Sequence, residues 1–226
     1  MLLSLIKSGA DIWTIIGAIM SVIIVVFLTL PVHEFAHGFV ADKLGDPTPR
    51  YQGRLTLNPI AHLDPIGSLG ILLFGIGWAK PVNINARYFK NPKWGMALTA
   101  LAGPASNIIM AFIAILLMNV FRLLGGIWGI TGGIYLLLVY FFWYIAQINV
   151  YLAVFNFIPI PPFDGSRILF AFLPTKYYFA VMRYERAIFI GLLLILYTGV
   201  LSYPISYVSN LVLSGLSYVA GLPFGI

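Results

Sequence analysis

The stretch from Ile12 to Leu44 reads IWTIIGAIMSVIIVVFLTLPVHEFAHGFVADKL, and its two halves decide first the fold and then the chemistry. From Ile12 to Val32 there is no charged residue. At a rise of 1.5 Å per residue, about 20 apolar residues span the roughly 30 Å hydrocarbon core of a bilayer. A cleaved leader would follow a basic segment and end on a small-x-small site. Here only Lys7 precedes the run, Asp11 adjoins it, and it passes directly into Pro31-Val-His-Glu-Phe-Ala-His37. The stretch therefore predicts a retained membrane helix that continues to about Leu44.

Composition extends that reading to the whole chain. Of its 226 residues, 61% are hydrophobic and 9% charged, against roughly 25% charged in an average soluble domain. A soluble globule needs more surface charge than this, and a disordered chain would be charged and poor in aromatics. The net charge of +6 lies in short loops between apolar runs. That pattern orients a chain in a membrane and does not bind phosphate backbones, so no nucleic-acid partner is expected. The chain has no Cys, which excludes disulfides and thiolate metal sites. The expected fold class is an all-α polytopic membrane protein in the lipid bilayer, a single membrane-embedded domain over residues 1–226.

About five transmembrane helices are expected. After the first comes a polar, Gly/Pro-rich stretch from Gly45 to Pro92, in which Gly53–Leu57 and Pro81–Asn85 alternate like short β-strands. Between them Ile66–Trp78 is apolar but too short to span, which suggests a re-entrant or interfacial segment. Further spans are predicted over about Trp94–Leu124, Tyr135–Phe157, Ala187–Leu201 and Ile205–Leu222. Pro159, Pro161 and Pro162 break the chain before Asp164-Gly165, and a short helix follows over Arg167–Leu173. Lys43, Arg50, Arg54, Lys80, Arg87, Lys90 and Lys93 fall in one loop region, and Arg167, Lys176, Arg183 and Arg186 in another. The opposite side holds little beyond Lys7 and Arg122. The positive-inside rule places the two basic regions in the cytosol and the N-terminus outside, in a prokaryotic inner or plasma membrane.

The second half of the opening stretch carries chemistry. His33-Glu34-Phe35-Ala36-His37 is H-E-x-x-H, which uses two of the three His and one of the two Glu in the chain. Residues four apart share a helix face, so both imidazoles can bind one metal ion, and Glu34 can act as general base on a water. Zinc, one ion per chain, suits two neutral imidazoles and a carboxylate. Ionisable residues within a membrane helix are costly and mark function. A third ligand is needed. Asp42 and Asp46 follow the motif too closely to fold back easily, and Asp11 lies at the far end. Asp64, Asp164 and Glu185 remain. Asp164 is favoured because the prolines before it would turn it back into the bundle. Its competing role is the N-cap of the short helix that follows.

Together these residues resemble the site-2 protease family of intramembrane zinc metalloproteases. H-E-x-x-H in a spanning helix is followed far downstream by Asn156-Phe-Ile-Pro-Ile-Pro-Pro-Phe-Asp-Gly165. The segments Gly53–Gly67 and Ala102-Gly-Pro-Ala-Ser-Asn107 are similar to those of its small prokaryotic members, without PDZ or CBS domains. The resemblance implies hydrolysis of a peptide bond within or near the transmembrane segment of single-span membrane-protein substrates, that is, regulated intramembrane proteolysis. It implies His33, His37 and Asp164 as metal ligands, Glu34 as the catalytic base, and Asn156 as a second catalytic residue that holds substrate or the oxyanion. His62 is a candidate fourth ligand in a resting state, partner of the metal ligands or substrate-gate residue, against the competing reading of a structural loop histidine. Asn107 is expected to face the catalytic cavity as a partner of the ligands or a substrate-gate residue. The small residues around Asn107 suit close helix packing. A metal-dependent transporter and an inactive metal-binding scaffold are the alternatives. No inverted repeat supports the first, and the intact Glu34 opposes the second.

Overall fold

The computed structural model describes residues 8–74, 79–130, 132–174, 181 and 183–225. Lys7, Lys176 and the end of the Ile66–Trp78 segment lie outside the described residues. Helix α1 is continuous over Ile12–Lys43. Asp11 caps it by accepting from the Trp13 and Thr14 amides at 3.0 and 3.1 Å. It ends in a Schellman closure, with Asp46 N donating to Ala41 O at 3.0 Å and Gly45 N to Asp42 O at 3.1 Å. Gly45 sits at φ +108°, which the absence of a side chain permits. Within α1, Val25–Thr29 form one π-helical turn, and Leu30 N donates five residues back to Val25 O. Pro31 explains the turn: it has no N–H to give to residue 27 and its ring would clash there, so the helix widens just ahead of it.

The polar stretch forms α2 (Thr48–Tyr51) and α3 (Pro59–His62), which pack beside the end of α1, and α4 (Pro65–Phe74), which lies against its first half. Arg50 makes a two-pronged ion pair with Asp42 at 3.0 and 2.7 Å. Asp46 is fully buried and accepts from Thr48 N at 3.0 Å and Asn85 N at 2.7 Å. The two segments expected as strands form no ladder among the described residues. Gly53–Leu57 is a turn and bend, and Pro81–Asn85 has no regular structure. Val82 N donates to Glu34 and Asn85 N to Asp46. At these two amides a carboxylate takes the place that a neighbouring strand would have filled.

Helix α5 (Pro92–Trp128) starts from an Asn91 cap and stops at Gly129, which has φ +63°. Helix α6 (Gly133–Asn156) returns, α7 (Asp164–Phe172) is short, and α8 (Glu185–Tyr197) and α9 (Ser202–Gly221) complete the order. Among the described residues, four helices are long and apolar enough to cross a membrane: α1, α5, α6 and Ser202–Phe224. The described part of the expected Ala187–Leu201 span is shorter. Helix α8 has 13 residues, about 20 Å at helical rise, and the chain turns at Gly199 with φ +75°.

The first half of α1 packs on α6, where Ser21 Oγ donates to Phe141 O at 2.8 Å. The second half packs on α5. The core between α5, α6 and α9 joins Ala111, Ile115 and Met118 to Ala146, Val150 and Leu213. Asn119 ties α5 to the end of α9 through Ala220 O at 3.1 Å. Lipid gives apolar side chains no reason to prefer protein, so close packing of small residues and these polar contacts hold the helices together.

Candidate metal centre

His33 and His37 lie one turn apart on α1 and are both buried. Their Nε2 atoms are 3.0 Å apart. Asp164 Oδ2 lies 3.5 Å from His33 Nε2 and 3.3 Å from His37 Nε2. Asp164 does not cap its helix: α7 begins at Asp164 itself, Phe163 is the N-cap, and the carboxylate turns to the imidazoles. The loop that delivers it folds tightly. A Cβ on Gly165 would stand 2.2 Å from Phe157 O and 2.7 Å from Ile158 O, so the first turn of α7 rests on the end of α6 as only glycine allows. Phe155 and Phe163 brace the same corner edge to face at 4.4 Å.

His37 Nδ1 lies 2.7 Å from the Thr99 carbonyl. A carbonyl only accepts, so Nδ1 carries the proton and Nε2 presents its lone pair. That lone pair faces a second imidazole nitrogen and a carboxylate oxygen, an arrangement that needs a positive centre between them. For bonds of about 2.0–2.1 Å in a tetrahedral site, donor atoms stand about 3.3–3.4 Å apart. The observed 3.0, 3.3 and 3.5 Å bracket that spacing. The three residues fit zinc by donor type, burial and separation, and among the described residues their donor atoms, all within 4.8 Å of one another, form a group suited to one metal ion.

Glu34 is half-buried beside them, and its Oε2 accepts from Val82 N at 3.0 Å. On α5, Gly103 faces the imidazoles so closely that a Cβ there would fall 2.3 Å from His37 Nε2 and 2.5 Å from His33 Cε1.

The other expected residues are placed as follows. Asn156 ends α6, and its amide donates to Leu152 O at 3.0 Å within the helix. His62 is fully buried, with Nε2 2.8 Å from Thr56 O, and lies outside the metal group. Asp64 caps α4 through Gly67 N at 2.8 Å. Asn107 is 1% exposed, and neither amide atom finds a partner among the described residues. Sequence reasoning missed the Thr99 carbonyl, the Val82 amide and the contact role of Gly103. The first two are backbone groups that any residue could supply. The third was visible only as one small residue among several.

Four long apolar helices, with a buried His/His/carboxylate group at the end of one and an adjacent Glu, define a membrane-embedded metallopeptidase. The family model for peptidase family M50 matches residues 21–198, and the chain belongs to that family. Its relatives include YwhC of Bacillus subtilis, provisionally named a zinc metalloprotease. It is 40% identical over 181 residues, which is 80% of this chain and 82% of that protein. Rip2 of Mycolicibacterium smegmatis, provisionally named in the same way, is 30% identical over 66% of this chain and 56% of its own length. Zinc metalloprotease MJ0392 of Methanocaldococcus jannaschii is 29% identical over 68% of this chain and 34% of its own. No solved structure matches the chain.

Proposed function

We propose that the chain is an intramembrane zinc endopeptidase that hydrolyses a peptide bond in or near the transmembrane segment of single-span membrane proteins. The observation that carries this reading is the convergence of His33 Nε2, His37 Nε2 and Asp164 Oδ2, at 3.0–3.5 Å from one another, beside Glu34. Family membership supports the same reading and sets aside a transporter. His33, His37 and Asp164 hold the metal. Zinc, when bound there, supplies Lewis acidity to a water and to the scissile carbonyl. Glu34 takes the proton of the attacking water on the oxygen that Val82 leaves free and passes it to the departing amine. The Val82 N–H holds the other oxygen and fixes the carboxylate's direction. Asn156 turns its amide from Leu152 O toward the developing oxyanion or the substrate backbone. His33 and His37 lie about 9–15 Å inside the Lys43 end of α1 at helical rise, so water reaches them from that end. A helical substrate presents its peptide bonds shielded, and it must unwind locally to be cut.

The basic residues at that end support an orientation with the catalytic end in the cytosol and the N-terminus outside, in a prokaryotic cell membrane. Residues 1–226 act as one embedded unit. In it α4 dips in from the interface, and α8 with its flanks makes a fifth crossing. The test is to purify the protein in detergent, measure bound zinc, and incubate it with a panel of single-span substrates. Stoichiometric zinc is expected, with cleavage that Glu34→Gln lowers by at least about 10²–10⁴-fold while zinc stays bound. Cleavage unaffected by that change refutes the mechanism.

A further inference from the structure

We propose that Asn107 is the positioning residue for His33: its side-chain carbonyl accepts the His33 Nδ1–H through one bridging water, and so fixes the tautomer that turns Nε2 to the metal. This rests on the ligand reading above. A metal-binding imidazole almost always donates its second N–H, which sets both tautomer and ring angle. His37 does so to Thr99 O at 2.7 Å. His33 is equally buried, and its Nδ1 finds no partner among the described residues. An N–H so placed is costly unless a buried acceptor or a bridging water satisfies it.

The seam between α1 and α5 points to the acceptor. Thr99 meets His37, and Gly103, one turn on, meets both rings. The order runs antiparallel, so each step from Thr99 along α5 moves from His37 toward His33. The His33 atom that touches the Gly103 position is Cε1, the carbon between Nδ1 and Nε2, so α5 lies against the edge of the ring that carries both nitrogens. Asn107 lies one further turn along the same face of α5. It is 1% exposed, and its amide carries an acceptor and a donor that nothing among the described residues uses. Two other buried acceptors have no partner among the described residues, Thr99 Oγ1 and Asn149 Oδ1. Thr99 Oγ1 lies on the His37 side. Asn149 is on α6, off the α1–α5 seam. Its Nδ2 donates to Ile145 O at 2.9 Å and to Thr29 Oγ1 at 3.4 Å while its Oδ1 is free, so it is the rival that the experiment tests beside Asn107.

The experiment measures zinc affinity of the full chain in detergent by competition with a chromophoric chelator, and the melting temperature of the metal-free protein. Asn107→Leu is expected to bind zinc about 10–100-fold more weakly, in a metal-free protein that still folds and melts cooperatively. Asn107→Asp keeps the acceptor and is expected within about threefold of the wild type. Asn149→Leu is expected to leave zinc affinity unchanged. The proposal is overturned if Asn107→Leu binds zinc as the wild type does, or if Asn149→Leu is the variant that loses it. It is also overturned if Asn107→Leu loses affinity and melting temperature together and Asn107→Asp fails to restore either. A wild-type chain that binds no zinc overturns the protease reading and this proposal with it, and is distinguished from failure of the positioning role alone by the wild-type measurement itself.

Discussion

Replacing Gly103 with alanine adds one methyl group at the point where α5 leans on both imidazoles. Its carbon would lie 2.3 Å from His37 Nε2, 2.5 Å from His37 Cε1 and 2.5 Å from His33 Cε1. Relaxed contacts between such atoms need about 3.5–4.0 Å, so something must move by about 1 Å. Both helices are tied along this seam, His37 by its bond to Thr99 O, so the rings carry most of the shift. A zinc site tolerates about 0.2 Å in its bond lengths, and a displacement of about 1 Å near a reacting centre costs on the order of 10² in rate. Gly103→Ala should therefore weaken zinc binding by about 100-fold or more and lower cleavage by at least as much. Stability moves less. Overpacking costs about 1–3 kcal/mol, while exchanging a mid-helix glycine for alanine returns about 1 kcal/mol of helix propensity. The assay is zinc content and chelator competition on detergent-purified protein, followed by cleavage of a single-span substrate. A Gly103→Ala protein that holds zinc as tightly as the wild type would refute the reasoning, because the helices would then have parted without cost.

Three further outcomes follow from the same geometry. Asp164→Ala leaves two imidazoles without a carboxylate, and the purified protein should lose stoichiometric zinc; a full complement of metal would remove Asp164 from the ligand set. Asp46→Ala strands the Thr48 and Asn85 amides that the carboxylate now holds at 3.0 and 2.7 Å. It should cost about 2–3 kcal/mol, seen as a lower melting temperature, and an unchanged melting curve would deny Asp46 that role. Because the chain has no Cys, one introduced thiol reports topology without background. In intact cells a membrane-impermeant maleimide should label Ile130→Cys, between α5 and α6, and spare Lys90→Cys; the reverse pattern inverts the orientation.

The parts legible in the sequence were those set by periodicity and by scarce residue types. An uncharged run longer than a bilayer gave α1, and His33, Glu34 and His37 announced themselves because ionisable groups are so few. Asp164 was legible only as one of two roles, since a residue beyond three prolines can cap a helix or leave it. The choice rests on where α7 starts, a matter of one residue. Gly53–Leu57 and Pro81–Asn85 misled because alternation records which faces are apolar, not what the amides bond to. Zinc's surroundings were largely illegible. The Thr99 carbonyl and Val82 amide belong to the backbone, and Gly103 matters for the side chain it lacks.

The π turn at Val25–Thr29 separates α1 into two stretches that obey different masters. Upstream, the helix is keyed to α6 through Ser21; downstream, it is keyed to α5 through His37. Each helical residue advances the azimuth by about 100°, so the extra residue held in the wide turn acts as a phase setting between an anchor and a tool. Deleting a single residue there would leave both stretches helical and the hydropathy nearly unchanged, yet swing the two histidines about 100° away from Asp164. Anchors borrowed from other proteins should therefore graft onto this catalytic half only when their register matches, and length alone would not predict which grafts work.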